Sequence, residues 1–143
     1  MKKIYAYTGL LIVLTVVMQA CAKRQPPQEL LSLTDPQLKI RSYQTRVFDY
    51  SDQNLVLRGV VASLQDLGFI VERANASLGL VTAGKFATNG NGIVELTVTV
   101  RLKGTQQTEV RLNAIFNTKP VDDPKVYQNF FTVLERTLFI AKG

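Results

Sequence analysis

Between residues 93 and 116 apolar and polar side chains alternate almost without interruption. Val94, Leu96, Val98, Val100 and Leu102 interleave with Glu95, Thr97, Thr99, Arg101 and Lys103, and after a short break Val110, Leu112, Ala114 and Phe116 interleave with Glu109, Arg111 and Asn113. A period of two over such lengths predicts two long antiparallel strands with one buried and one wet face. Upstream, Val56, Leu57, Val60, Val61, Leu64 and Leu67 recur at spacings of three and four, which predicts a helix capped by Ser51 or Asp52 and ended by Gly68 at C′. A second apolar stripe, Tyr127, Phe130, Phe131, Leu134 and Leu138, predicts a final helix with Asp122 or Asp123 as its cap and Pro124 in its first turn. Shorter strands are expected at Tyr43–Phe48, Phe69–Arg73 and Leu78–Phe86, the second and third separated by the polar break Asn75-Ala76-Ser77. Thr88-Asn89-Gly90-Asn91-Gly92 supplies a hairpin turn. The predicted order is β-α-β-β-β-β-α over residues 43–143. It implies an α+β domain with two helices packed on one face of a curved, mainly antiparallel sheet of about five strands.

The first 42 residues have a different grammar. Lys2 and Lys3 precede an apolar run, Ile4–Val17, of about 14 residues, roughly 21 Å as a helix, whereas a bilayer core needs about 20 residues. This is the pattern of a secretory leader. Met18-Gln19-Ala20-Cys21 follows it, and the small Ala20 before the only cysteine resembles the lipobox of bacterial lipoproteins. That resemblance implies a signal peptide over 1–20, cleavage before Cys21 and acyl chains on Cys21 that hold the protein on a membrane. Ala22, rather than Asp, after the acylated cysteine implies the outer membrane, facing the periplasm. Residues 21–42 carry three of the five prolines and read as a lipidated tether, about 60 Å long if extended. Its leucines, Leu30, Leu31, Leu33 and Leu38, leave open that part of it docks on the domain or on a partner.

Leu64-Gln65-Asp66-Leu67-Gly68-Phe69, followed by Leu78-Gly79-Leu80-Val81-Thr82-Ala83, resembles the small domains of outer-membrane lipoproteins of the BamC type, in which a helix ending LxxLGF feeds a strand. The resemblance implies the fold more than any task.

Composition narrows the chemistry. There is no histidine and one cysteine, which excludes Ser-His-Asp and Cys-His triads, an internal disulfide and a thiolate zinc site. Asp122-Asp123 is better explained as a helix cap than as a metal site. Asp49, Asp52, Asp66 and Glu72 fall at opposite ends of the first helix. Gly84, Gly90 and Gly92 lack the Lys-Ser or Lys-Thr of a phosphate loop, and Asn75-Ala76-Ser77 is a glycosylation pattern without meaning in a bacterial lipoprotein. The expectation is therefore a protein with no catalytic residues, no cofactor and no metal. The chain carries 17 basic and 11 acidic residues; without Lys2 and Lys3 the balance falls from +6 to +4, too little to argue for nucleic acid.

What remains is a surface. Arg101, Lys103 and Arg111 occupy the polar phase of two neighbouring strands, and Arg46, on the first strand, is grouped with them as a possible partner-binding face. Most of the rings of Phe69, Phe86, Phe116, Tyr127, Phe130, Phe131 and Phe139 are expected to fill the core rather than to line a pocket. Two functional readings follow: a non-enzymatic, lipid-anchored accessory or scaffolding subunit of an envelope complex, or a carrier or sensor of a small apolar ligand held between the C-terminal helix and the sheet. An exposed edge strand that pairs with a partner is a further possibility.

Overall fold

In chain order the elements are α1 (Asp35–Gln44), β1 (Thr45–Phe48), α2 (Gln53–Asp66), β2 (Ile70–Asn75), β3 (Leu80–Phe86), β4 (Ile93–Lys103), β5 (Gln107–Phe116), the two-residue β6 (Lys119–Pro120) and α3 (Pro124–Lys142). They come from a computed structural model that describes residues 34–88 and 90–142. The expected signal peptide, Cys21, Leu30, Leu31 and Leu33 lie outside the described residues. All strand pairs are antiparallel, in the order β1-β5-β4-β3-β2, with β6 pairing the end of β5. The class is the expected α+β, with α2 and α3 laid on one face.

Local chemistry explains the elements. Asp52 Oδ1 accepts from the Leu55 amide at 3.0 Å, closing the first turn of α2. At the other end Gly68, at φ 78°, allows the Phe69 amide to reach Leu64 O and its own amide to reach Gln65 O, both at 2.9 Å, a complete Schellman stop. Asp123 Oδ1 accepts from the Lys125 amide at 2.9 Å at the start of α3, with Pro124 as the first helical residue. The buried stripes of the helices, Val56, Val60 and Leu64 on α2 and Tyr127, Phe131, Leu134 and Leu138 on α3, close over Val81, Val98, Val100, Val110 and Leu112. The helices meet at Gly59, where a Cβ would stand 2.7 Å from Leu138 Cδ2, and Ser63 Oγ bridges Gly59 O and Thr137 Oγ1.

Three expectations change. The tether expected to run to residue 42 ends near Thr34, because α1 begins at Asp35 and takes in Tyr43 and Gln44, which had been expected to open the first strand. Tertiary contacts outweigh a six-residue alternation here: the Tyr43 ring packs 5.8 Å from that of Tyr127, its hydroxyl donates to Asp122 O, and Gln44 Nε2 donates to the Tyr127 hydroxyl. β2 continues past Arg73 to Asn75, with a bulge between Val71 and Arg73, and the turn falls two residues later. Asn75 Oδ1 then accepts from the Leu78 amide and Ser77 Oγ. Finally, Phe86, Phe116 and Phe139 are exposed: Phe86 stands on the face that no helix covers, Phe116 ends β5, and Phe139 lies off the buried stripe of the last helix.

Gly79 and Gly90 both hold a left-handed conformation, at φ 60° and 69°. A Cβ on Gly79 would lie 2.1 Å from Val100 O, whereas one on Gly90 would meet nothing. Urea unfolding should therefore find Gly90→Ala destabilised by about 1 kcal/mol, the cost of the conformation alone, and Gly79→Ala by about 3 kcal/mol, with the clash added.

Candidate functional site

Strand register decides which of the predicted residues meet, because directly paired residues share a face. Val81, Val98 and Leu112 form one rung of the covered face, and Val100 and Val110 belong to another. The alternate rungs stand on the face that α2 and α3 leave open. One of them runs across five strands as Asn75, Leu80, Thr99, Arg111 and Thr45; the next holds Arg73, Thr82, Thr97 and Asn113. Beyond Arg111, Arg101 stands opposite Glu109 and Val47, and Lys103 opposite Gln107.

Arg101, Lys103 and Arg111 are thus neighbours on one surface. Arg111 Nε donates to Thr45 Oγ1 at 3.1 Å and its Nη2 lies 3.9 Å from Glu109 Oε1, which holds the guanidinium flat along β5. Arg101 and Lys103 are exposed and make no ion pair with the described residues. With Arg73, the open face carries four basic residues against Glu72, Glu95 and Glu109, and the surplus of positive charge falls around Arg101 and Lys103.

Arg46 does not join them. It pairs with Val110 and so lies on the covered face, where Nη1 reaches Glu135 Oε1 of α3 at 2.7 Å and the guanidinium lies 5.0 Å from the centre of the Phe131 ring. Its role is to clasp α3 to the edge of the sheet.

The opposite end of the open face is apolar. Ile70, Gly84, Glu95, Ile115 and Pro120 form one rung and Phe86 and Ile93 the next. Ile70 is 69% and Phe86 71% exposed, more than a sheet surface normally leaves to water. Gly84 carries no side chain, so a hollow of about 150 Å³ opens between Ile70, Phe86 and Ile93, with the Glu72 carboxylate leaning over it. Neither exposure was readable from alternation, because strand ends carry no signal of what covers them.

A second concavity, of about 200 Å³, lies between α3 and the covered face, walled by Leu67, Phe69, Val94, Leu112, Val126 and Phe130, with Lys85 and Asn129 as its polar members. It occupies the place expected of a pocket between the C-terminal helix and the sheet. The acidic residues serve locally: Asp52 and Asp123 cap helices and Asp49 accepts from Gln107 Nε2 at 2.7 Å. Among the described residues no three metal-ligating groups converge, and no helix is long and apolar enough to cross a membrane.

The two kinds of arginine should separate in stability measurements. Arg46→Ala, which removes an ion pair and a cation–π contact on the helix-covered face, should lower unfolding free energy by about 1 kcal/mol. Arg101→Ala, Lys103→Ala and Arg111→Ala should each stay within about 0.5 kcal/mol of the parent, since their pairs are loose or absent and face water.

No family model matches the chain, and no curated protein sequence matches it.

Proposed function

We propose that the chain is a non-enzymatic lipoprotein of the bacterial outer membrane, anchored through acylated Cys21 and facing the periplasm, whose domain is an accessory or scaffolding subunit of an envelope complex. The observation that carries the partner-binding half of this reading is the composition of the open sheet face. An exposed apolar end around Ile70, Phe86 and Ile93, bordered by Glu72 and Glu95, and a positively balanced end around Arg101, Lys103 and Arg111 stand at opposite ends of one face, with the hydroxyls of Thr97 and Thr99 between them. An apolar anchor and fixed charges on one rigid face are the composition of a protein interface: burying the hydrophobic side chains supplies affinity and the charges supply orientation. The matching partner surface presents an apolar protrusion at one end and carboxylates at the other, about 25 Å away.

The anchoring half is supported by the leader and by Ala20-Cys21 in the sequence. Because α1 starts at Asp35, the stretch from Cys21 to Thr34 spans at most about 45 Å, so the partner surface would work close to the membrane.

Two measurements test the reading. The mass of the membrane-extracted protein should equal residues 21–143 plus acyl chains, and Cys21→Ala should lose the modification and the membrane association. A photo-crosslinking residue at Thr97, on the open face, should capture an envelope protein that the same residue at Gln128, on the exposed side of α3, does not. Charge reversal at Arg101 and Arg111 should weaken that capture without unfolding the domain. An unmodified Cys21, or equal capture from the two positions, would overturn the corresponding half.

A further inference from the structure

We propose that the concavity between α3 and the covered face of the sheet binds a small organic anion with an apolar body, an aryl or short acyl carboxylate whose charged group meets the Lys85 ammonium. The proposal rests on a different face from the partner surface and stands independently of it.

The space suits an apolar group. About 150 Å³ lined by aliphatic and aromatic side chains suffices for a benzene ring, and this site offers about 200 Å³. Its deepest walls, Leu96, Leu112 and Phe130, are 4% exposed or less, whereas Val126 on α3 is 38% exposed, so the site is closed within and open at the helix. An apolar recess of this kind gains little from holding water and more from holding carbon.

Lys85 supplies the specificity. Its register partner is Val94, so its side chain belongs to the helix-covered face, an unusual place for an ammonium. Nζ donates to Leu67 O at 2.9 Å and lies 5.4 Å from the centre of the Phe69 ring. An ammonium has three N–H donors, and one of them is engaged by Leu67. No carboxylate of the described residues lies within ion-pair distance of it. Lys85 thus lines an apolar recess while two of its N–H donors have no acceptor among the described residues, and Asn129 is a second polar member on the helical side. Capping the end of α2 accounts for one hydrogen bond of Lys85; it does not account for the recess beside it. A carboxylate on an apolar body satisfies both.

The test uses the full chain held in lipid nanodiscs, with empty nanodiscs as blank, titrated calorimetrically with 3-phenylpropanoate and with its neutral amide. The carboxylate should bind about tenfold more tightly than the amide, the worth of one charge-assisted hydrogen bond. Lys85→Met should abolish that difference while leaving amide binding in place, a result that loss of a helix cap alone would not produce. Val94→Phe, which fills the recess from its floor, should weaken both probes, with thermal unfolding confirming that each variant is folded. In the isotope-labelled chain the Phe69 and Asn129 amides should shift on titration. Equal affinity for the two probes, no heat above the blank, or binding untouched by Val94→Phe in a folded variant would overturn the proposal.

Discussion

One constraint organises this domain: β4 and β5 each carry an unbroken apolar face that must leave water. Val98, Val100, Val110 and Leu112 are at most 1% exposed, and their cross-strand pairing leaves no alternative register, since a slip of one residue would turn all four toward solvent. Both helices are placed by that demand. Each lies with its own apolar stripe against the same surface, and they approach closely because Gly59 has no side chain to hold Leu138 away. The polar face is the by-product of the same alternation. Fixing the inward residues fixes Thr97, Thr99, Arg101 and Arg111 outward, so core and candidate surface are two readings of one register.

That coupling explains what could be read in advance. β4, β5, α2 and α3 are long enough for their periods to be unambiguous, and the caps at Asp52, Gly68 and Asp123 are local events written in two or three residues. α1 was hidden because it buries no side chain completely, so it has no stripe; the prolines around it drew attention instead. The arrangement Thr34-Asp35-Pro36-Gln37, in which the Gln37 side chain accepts from the Thr34 amide, was its one legible sign. Arg46 was misplaced for a related reason. In a four-residue strand each face offers one apolar residue, Val47 or Phe48, and only the pairing with β5 shows that Phe48, and with it Arg46, turns inward. A pocket between the C-terminal helix and the sheet was expected, but not its walls or Lys85 in them, since these come from the segment after α2, from β3, β4 and β5, and from α3.

The sheet has two ends to its strand order, and neither is inviting to a further strand. β2 is interrupted by the bulge at Glu72 and carries Arg73 beside it, features that interrupt a regular hydrogen-bonding edge. β1 is only four residues long, and β6 occupies the same side of β5 further along. Strand addition, one of the recognition modes open to a β-rich domain, is thus less well served than docking onto the broad face, where apolar and basic residues are presented by rigid, fully paired strands.

The position of α1 and β1 has a mechanical consequence. The chain enters the domain at Thr34, and β1 is separated from its sheet partner β5 by α2 and three strands. A pull applied at Thr34 therefore loads α1 and β1 before it reaches the β2-to-β5 meander. What resists it is Tyr43 against Tyr127 and Asp122, Gln44 with Tyr127, Arg46 with Glu135 and Phe131, the buried Phe48, and four residue pairs with β5. Force on the chain would peel this leading arm away while the meander and its two helices held, so the domain has a built-in first yield point at its N-terminal entry.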